Sequence, residues 1–371
     1  MGLEVKASRE LQAEVLTAKL CSLCGACVGM CPYWVAHRGR IVSLDECNLT
    51  QGRCYVFCPR TSLDLDLLSE TLFGSPYAAD ELGTMQQITM ARATDEGIRS
   101  EAQYGGTVTA LTSFALEQGL IDAAVLTASD ENMLPSGTLA ASAAQVRDRA
   151  RSNYVAAPTL AAFNRESGRE DVQRIGVVAT PCQALALAKM RASPLENRNN
   201  IDKLKLVIGL FCTWALRYED FARFLADKVP LRQIVRFDIP PPPANLFQVF
   251  TDSTRIDIPL DDVRPFIRLA CDVCIDMTAE FADISVGAAE GVPGWNTLIV
   301  RSDAGRELVE AARAKGVIET APLPEQNLAH LREASLLKKK RGLKKAIEIT
   351  GSEDDLLYLK LTSEAAKGLL S

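Results

Sequence analysis

Histidine is nearly absent from this 371-residue chain: His37 and His330 are its only two. Neither stands in a pattern with a serine, cysteine or acid that would support imidazole-based hydrolysis. No G-x-G-x-x-G run follows a strand, which argues against direct nicotinamide dinucleotide chemistry. No apolar run approaches the roughly 20 residues needed to cross a bilayer. The first twenty residues are charged throughout and lack the apolar stretch of a secretory signal, so they read as an amphipathic helix. A cytoplasmic protein without a membrane span is expected. An excess of basic charge is missing too: 41 Lys and Arg against 47 Asp and Glu give a net charge of −6. That argues against nucleic acid as the main partner.

Cysteine is abundant instead, with eleven residues. In a large chain without a secretory signal they read as thiolate ligands rather than disulfides. Residues 21–32, CSLCGACVGMCP, carry the spacing Cys21-x2-Cys24-x2-Cys27-x3-Cys31-Pro32. That is the bacterial ferredoxin run, in which three close thiolates grip one cluster and the fourth cysteine crosses to another. The crossover assigns Cys21, Cys24, Cys27 and Cys58 to one 4Fe–4S cluster. Cys31, Cys47 and Cys54 belong to a second. Its fourth ligand is missing, because Gln51 stands where a standard run has cysteine. The second site would therefore hold a 3Fe–4S cluster, or a cubane with an oxygen or distant ligand. Zinc sites use two pairs of ligands, which fits the 2-2-3 spacing poorly.

The remaining chain divides by texture. Residues 1–60 are a leading helix and the ferredoxin-type module, and 61–100 read as a connector with short helices. An α/β domain follows from about 101 to 320, and 321–371 form a helical tail. A turn–helix–strand unit begins at Tyr104, strand–turn–helix units begin near Arg174 and Leu204, and their repetition predicts an at least partly parallel sheet. After the Pro240–Pro243 run, LFQVF and RIDIPL predict a small hairpin insertion, its first strand held to an edge by the prolines. WNTLIVRS reads as a strand and 304–316 as a helix. The basic run Lys338, Lys339, Lys340, Arg341, Lys344 and Lys345 predicts a solvated helix face.

Four cysteines lie outside the first module. Cys182 and Cys212 each follow a predicted strand, at the edge of an open α/β sheet where ligands collect. Cys271-x2-Cys274 supplies a pair from a third segment. Convergence of the four would build a third cubane; spacing alone leaves buried packing thiols as an equal alternative.

From the ferredoxin module to about residue 316 the chain resembles the coenzyme F420 hydrogenase/dehydrogenase beta-subunit family. The resemblance is carried by Tyr104-Gly-Gly-Thr-Val-Thr109, Leu120-Ile-Asp-Ala-Ala-Val125, Thr180-Pro-Cys-Gln183, Gly209-Leu-Phe-Cys212, Cys271-Asp-Val-Cys274-Ile-Asp276 and Ala282-Asp-Ile-Ser-Val-Gly287. It implies an FAD-binding α/β domain, a cubane on Cys182, Cys212, Cys271 and Cys274, and electron exchange with a reduced deazaflavin or a ferredoxin as part of a hetero-oligomer of redox subunits. It implies flavin contacts from Gly105, Gly106, Thr107 and Thr109, from Ser152, Asn153 and Tyr154, and from Thr180, Pro181 and Gln183. Arg151-Ser-Asn-Tyr154 departs from the Gly-Ser-Lys-Tyr that family members often carry. Two alternatives stay open: an electron-transfer component of a heterodisulfide reductase or formate dehydrogenase type complex, and a stand-alone reductase of a small organic substrate.

Overall fold

The computed structural model describes residues 2–196, 198–240, 243–361 and 363–370. The leading helix forms as expected but short, Ser8–Leu11 continuing through a wider turn over Gln12–Thr17. The cysteine-rich segment holds little regular structure: a hairpin of β1 (Trp34–His37) and β2 (Arg40–Ser43), a short helix Arg53–Val56, and β3 (Leu63–Asp64). The Asp64 carboxylate then caps the helix Leu65–Phe73 by accepting from Leu67 N at 3.0 Å.

An eight-stranded mixed sheet forms the centre. Its members are β4 (Gln87–Ala93), β5 (Ala123–Ser129), β6 (Pro135–Ala140), β7 (Ile175–Ala179) and β8 (Leu204–Leu210). Outside it, β9 (Ile234–Asp238), β10 (Leu246–Thr251) and β11 (Arg255–Pro259) make a separate antiparallel sheet. The chain returns to the large sheet with β12 (Ile284–Ala288), β13 (Asn296–Val300) and β14 (Ile318–Ala321). The order is β14-β4-β13-β12-β8-β7-β5-β6. The central run β12-β8-β7-β5 is parallel, and every outer pairing is antiparallel. A last short strand, β15 (Leu359–Lys360), pairs with β3.

The parallel strands read as continuous apolar runs because both their faces are covered. One face packs Leu111, Phe114, Ile208 and Leu308. The other packs Val125, Val177 and Leu187 in one continuous core with Leu23, Tyr55 and Phe57 of the cysteine-rich segment. The two parts share side chains instead of meeting across a linker.

Two expectations need correction. The segment 61–100 carries β4, whose alternating ITMARA was missed among its polar neighbours; β13 and β14 pair on its two sides. The insertion has three strands, with β10 in the middle rather than at an edge. The prolines precede β10, so they remove none of its ladder donors; Pro241 and Pro242 lie outside the described residues. Phe221, Phe237 and Phe247 fill the space beneath this sheet. Among the described residues no helix is long and apolar enough to cross a membrane.

Candidate functional site

All eleven cysteines are free thiols. The crossover set is brought together: Cys21, Cys24, Cys27 and Cys58 line one cavity, walled by Leu11 and Val15. Burial pushes the thiols of Cys21, Cys24 and Cys27 up, and that of Cys58 up to about 11. Cys54 also stands at about 11 through burial, and it lies in the field of Cys31 and Cys47. Gln51 and the exposed Leu49 flank this second group at the surface.

Cys182, Cys212, Cys271 and Cys274 converge as well. β7 and β8 are adjacent and parallel, so Cys182, on the first turn of the helix Pro181–Arg191, and Cys212, just past β8, leave the same edge of the sheet. The Cys271–Cys274 loop closes over them, with Cys271 Sγ accepting from Ala215 N at 3.3 Å. Cys212 responds to Cys271, Cys182 and Cys274, and burial sets its thiol up to about 12 and that of Cys271 to about 11. Cys274 is the exception. Burial pushes it up, but Lys338 and Arg60 outweigh burial and hold it below its ordinary value.

Three buried cations are the strongest sign of what these groups hold. Lys189 is 1% exposed; its Nζ donates to Cys58 O at 2.8 Å, Thr61 Oγ1 at 2.8 Å and Ser62 O at 3.0 Å. Burial lowers it to about 8. Arg60 is 4% exposed and donates to Tyr358 Oη and Ala270 O. Lys338, 3% exposed, donates to Cys212 O. None of the three meets a carboxylate within ion-pair distance among the described residues, whereas the neighbouring Lys339 is paired with Glu280. A buried cation without a counter-charge is strongly disfavoured. Thiolates gripping an iron–sulfur core supply that negative charge, and metal binding is what deprotonates a thiol this reluctant. The donor sets therefore fit clusters.

The basic run at 338–345 is thus not a solvated face. Arg341 and Lys344 are exposed, but Lys338 and Lys339 point inward. The helix Glu325–Thr350 presses on the Cys271–Cys274 loop at Gly342, where a Cβ would stand 2.9 Å from Cys274 O. A charge run does not reveal which helical face docks.

The residues expected around a flavin separate into two groups. Gly106 has φ +72° and starts the helix Thr107–Glu117; a Cβ there would stand 2.8 Å from Ile98 Cγ2. A Cβ on Gly105 would meet Asn296 and β4. Thr107 is fully buried and donates to Ala91 O, and Thr109 is buried beside it. Gln183 caps its helix through Thr180 N and donates to Ala157 O and Thr159 Oγ1, so its amide is fully engaged by the protein. Thr180 Oγ1 lies 3.4 Å from Cys182 Sγ, and Pro181 lines a cavity with Cys182 and Cys274. These side chains build the turns. Ser152 and Tyr154 do converge, both on Gln103, which also donates to Asp238. Asn153 turns away to Ser129 Oγ. The Tyr154 ring faces Trp214 at 6.2 Å, and Trp214 lies two residues after Cys212. Gln103, Asp238 and Trp214 were not singled out from the sequence, because each comes from a different segment with no motif of its own.

Two stretches match the family described as coenzyme F420 hydrogenase/dehydrogenase, beta subunit: residues 88–164 its N-terminal part and residues 172–326 its C-terminal part. The chain belongs to this family. Its relatives include the coenzyme F420 hydrogenase subunit beta of Methanothermobacter thermautotrophicus, 31% identical over 71% of this chain and 94% of the relative. An F(420)H(2) dehydrogenase subunit of Methanosarcina mazei is 28% identical over 84% of this chain and 88% of the relative. The coenzyme F420-dependent sulfite reductase of Methanocaldococcus jannaschii is 27% identical over 90% of this chain, which spans about half of that relative, 51%. Among solved structures, a chain of the F420-reducing NiFe hydrogenase complex from Methanosarcina barkeri superposes with a TM-score of 0.66 at 26% identity, covering 72% of this chain and 94% of that one. The eight-stranded mixed sheet is thus the fold of the family. The helix Glu325–Thr350, with Lys338, lies almost wholly beyond the family match.

Proposed function

We propose that this beta-subunit-type protein is the flavin- and iron–sulfur-carrying member of a multi-subunit oxidoreductase, exchanging hydride with a two-electron carrier such as reduced coenzyme F420 and passing single electrons to a partner. When bound, FAD supplies the conversion between hydride and single electrons, and the clusters supply the one-electron steps. Cys182, Cys212, Cys271 and Cys274 would hold the cluster that first takes electrons from the flavin. Cys21, Cys24, Cys27 and Cys58 hold the next, and Cys31, Cys47 and Cys54 the outermost. The adjacency of the first two is supported by Arg60, which stands two residues after Cys58 and donates to Ala270 O just before Cys271. Gln103 would act as a positioning residue, holding Ser152 and Tyr154 in place, and the Tyr154 ring would border the flavin beside Trp214.

The observation that carries the cluster part of this reading is the set of three buried cations, each turned toward a cysteine group and none paired with an acid among the described residues; the hydride exchange is supported by the family match. The test is the visible spectrum of the anaerobically purified protein, then titration with reduced deazaflavin. Flavin bands that bleach, followed by bleaching of the broad cluster absorbance, are expected. A protein without flavin bands, or one reduced only by a partner protein, would make the chain a relay rather than the site of hydride exchange.

A further inference from the structure

We propose that Arg60 serves two cluster sites at once. Its guanidinium is the shared positive charge of the Cys21, Cys24, Cys27, Cys58 group and the Cys182, Cys212, Cys271, Cys274 group, and its free Nε–H donates to the cluster of the second. The proposal rests on the cluster assignments above.

Arg60 stands two residues after Cys58, with Pro59 fixing the backbone between them. Its side chain crosses to the other ligand loop. Nη2 donates to Ala270 O at 3.0 Å, the carbonyl just before Cys271. Nη1 donates to Tyr358 Oη at 2.8 Å, and Tyr358 Oη in turn donates to Val273 O at 2.9 Å, just before Cys274. The guanidinium also lies over the Tyr358 ring, 4.8 Å from its centroid. The loops bearing Cys58 and Cys271–Cys274 are thus tied through one planar cation. Arg60 and Tyr358 line a second cavity together with Cys182, Cys274 and Asp276. Two buried polar atoms at this place have no partner among the described residues, Arg60 Nε and Asp276 Oδ1. An unsatisfied buried donor beside a cysteine cage is accounted for by an acceptor in the cage, and cluster sulfur is such an acceptor.

The consequence is electrical. Reducing a cluster adds one negative charge, which a fixed neighbouring cation favours; the cation therefore raises the potential. One cation between two clusters raises both, so the pair stays matched. An electron leaving one cluster oxidises it and reduces the other, with no bond made or broken and no proton moved. A tie holding two loops together would give none of this.

The experiment uses the full chain loaded with clusters under anaerobic conditions. Iron and acid-labile sulfide are counted first, then each cluster is titrated by electron paramagnetic resonance in wild type, Arg60→Gln and Arg60→Lys. Arg60→Gln is expected to keep its iron and shift the midpoints of both neighbouring clusters downward, leaving the Cys31, Cys47, Cys54 cluster unmoved. Arg60→Lys keeps the charge and loses the Nε–H. It is expected to lower mainly the midpoint of the Cys182 group, and it carries the test alone if Arg60→Gln sheds iron. Unchanged midpoints at full iron content, or a shift in one cluster only for Arg60→Gln, would overturn the proposal and leave the cluster assignments standing. Wild-type protein without the iron of the Cys182 group would overturn those assignments, and the proposal with them.

Discussion

Replacing Lys189 by methionine separates what the lysine does for the polypeptide from what it does for a cluster. In the metal-free protein the buried ammonium is a burden. Burial lowers it from 10.5 to about 8, which corresponds to about 3 kcal/mol of stability missing at neutral pH. The unfolded chain binds this proton more tightly than the folded one, so the missing stability returns as pH rises from about 8 to 10.5. The raised thiols act in the opposite direction over the same range, and the difference between wild type and Lys189→Met cancels them. Methionine removes the burden but leaves Cys58 O, Thr61 Oγ1 and Ser62 O without their donor, at about 1–3 kcal/mol for each that water does not reach. The gain offsets part of that loss, and the metal-free variant should lose no more than about 6 kcal/mol near pH 7. In the loaded protein the lysine faces a negatively charged cluster, and its removal costs about 3 kcal/mol more, as for a broken buried pair. Cluster retention should then weaken by roughly 100-fold. The assay is anaerobic urea unfolding of metal-free and loaded forms of both proteins, with iron retained against a chelator as the second readout. Equal destabilisation of both forms would refute the reasoning, because Lys189 would then be only a hydrogen-bonding strut.

Three shorter predictions follow from the same geometry. Cys21→Ser and Cys58→Ser should each remove the same cluster and leave the same residual paramagnetic signals, since both line one cavity; different residual spectra would break the crossover assignment. Gly106→Ala should cost about 1–3 kcal/mol in urea unfolding, because φ is +72° and the new Cβ would meet Ile98; wild-type stability would show that the turn can relax. Lys338→Met should reduce iron in the Cys182 group while the ferredoxin-type clusters persist, because its Nζ bonds Cys212 O and favours the thiolate of Cys274; loss of all iron would mean that the C-terminal helix holds the whole fold.

How far the sequence could be read depended on whether the signal was local. The cysteines at 21–31 lie within one short run, so spacing alone points to a ligand role. Cys182 and Cys212 needed the sheet order, because only the parallel pairing of β7 with β8 sets them side by side. The cations left no local trace. Lys189 looks like any lysine on a helix, and Arg60 like a loop residue after Cys-Pro. Lys338 was hidden in a run of like charges whose docking face depends on Gly342 and the loop beneath it. The glycines at 105 and 106 match the family pattern, yet their lack of a Cβ is required by Asn296 and Ile98 of the protein itself. A motif can mark a binding region while its most visible residues serve the backbone.

The measurement that bears most directly on the account is iron and acid-labile sulfide per chain in anaerobically reconstituted wild type, Cys182→Ser and Cys271→Ser. Convergence of four thiolates from three segments predicts that each variant loses about four irons, one cluster's worth, with the ferredoxin-type signals intact. Unchanged iron in both variants would contradict it, and Cys182, Cys212, Cys271 and Cys274 would be packing thiols beside an unexplained Lys338.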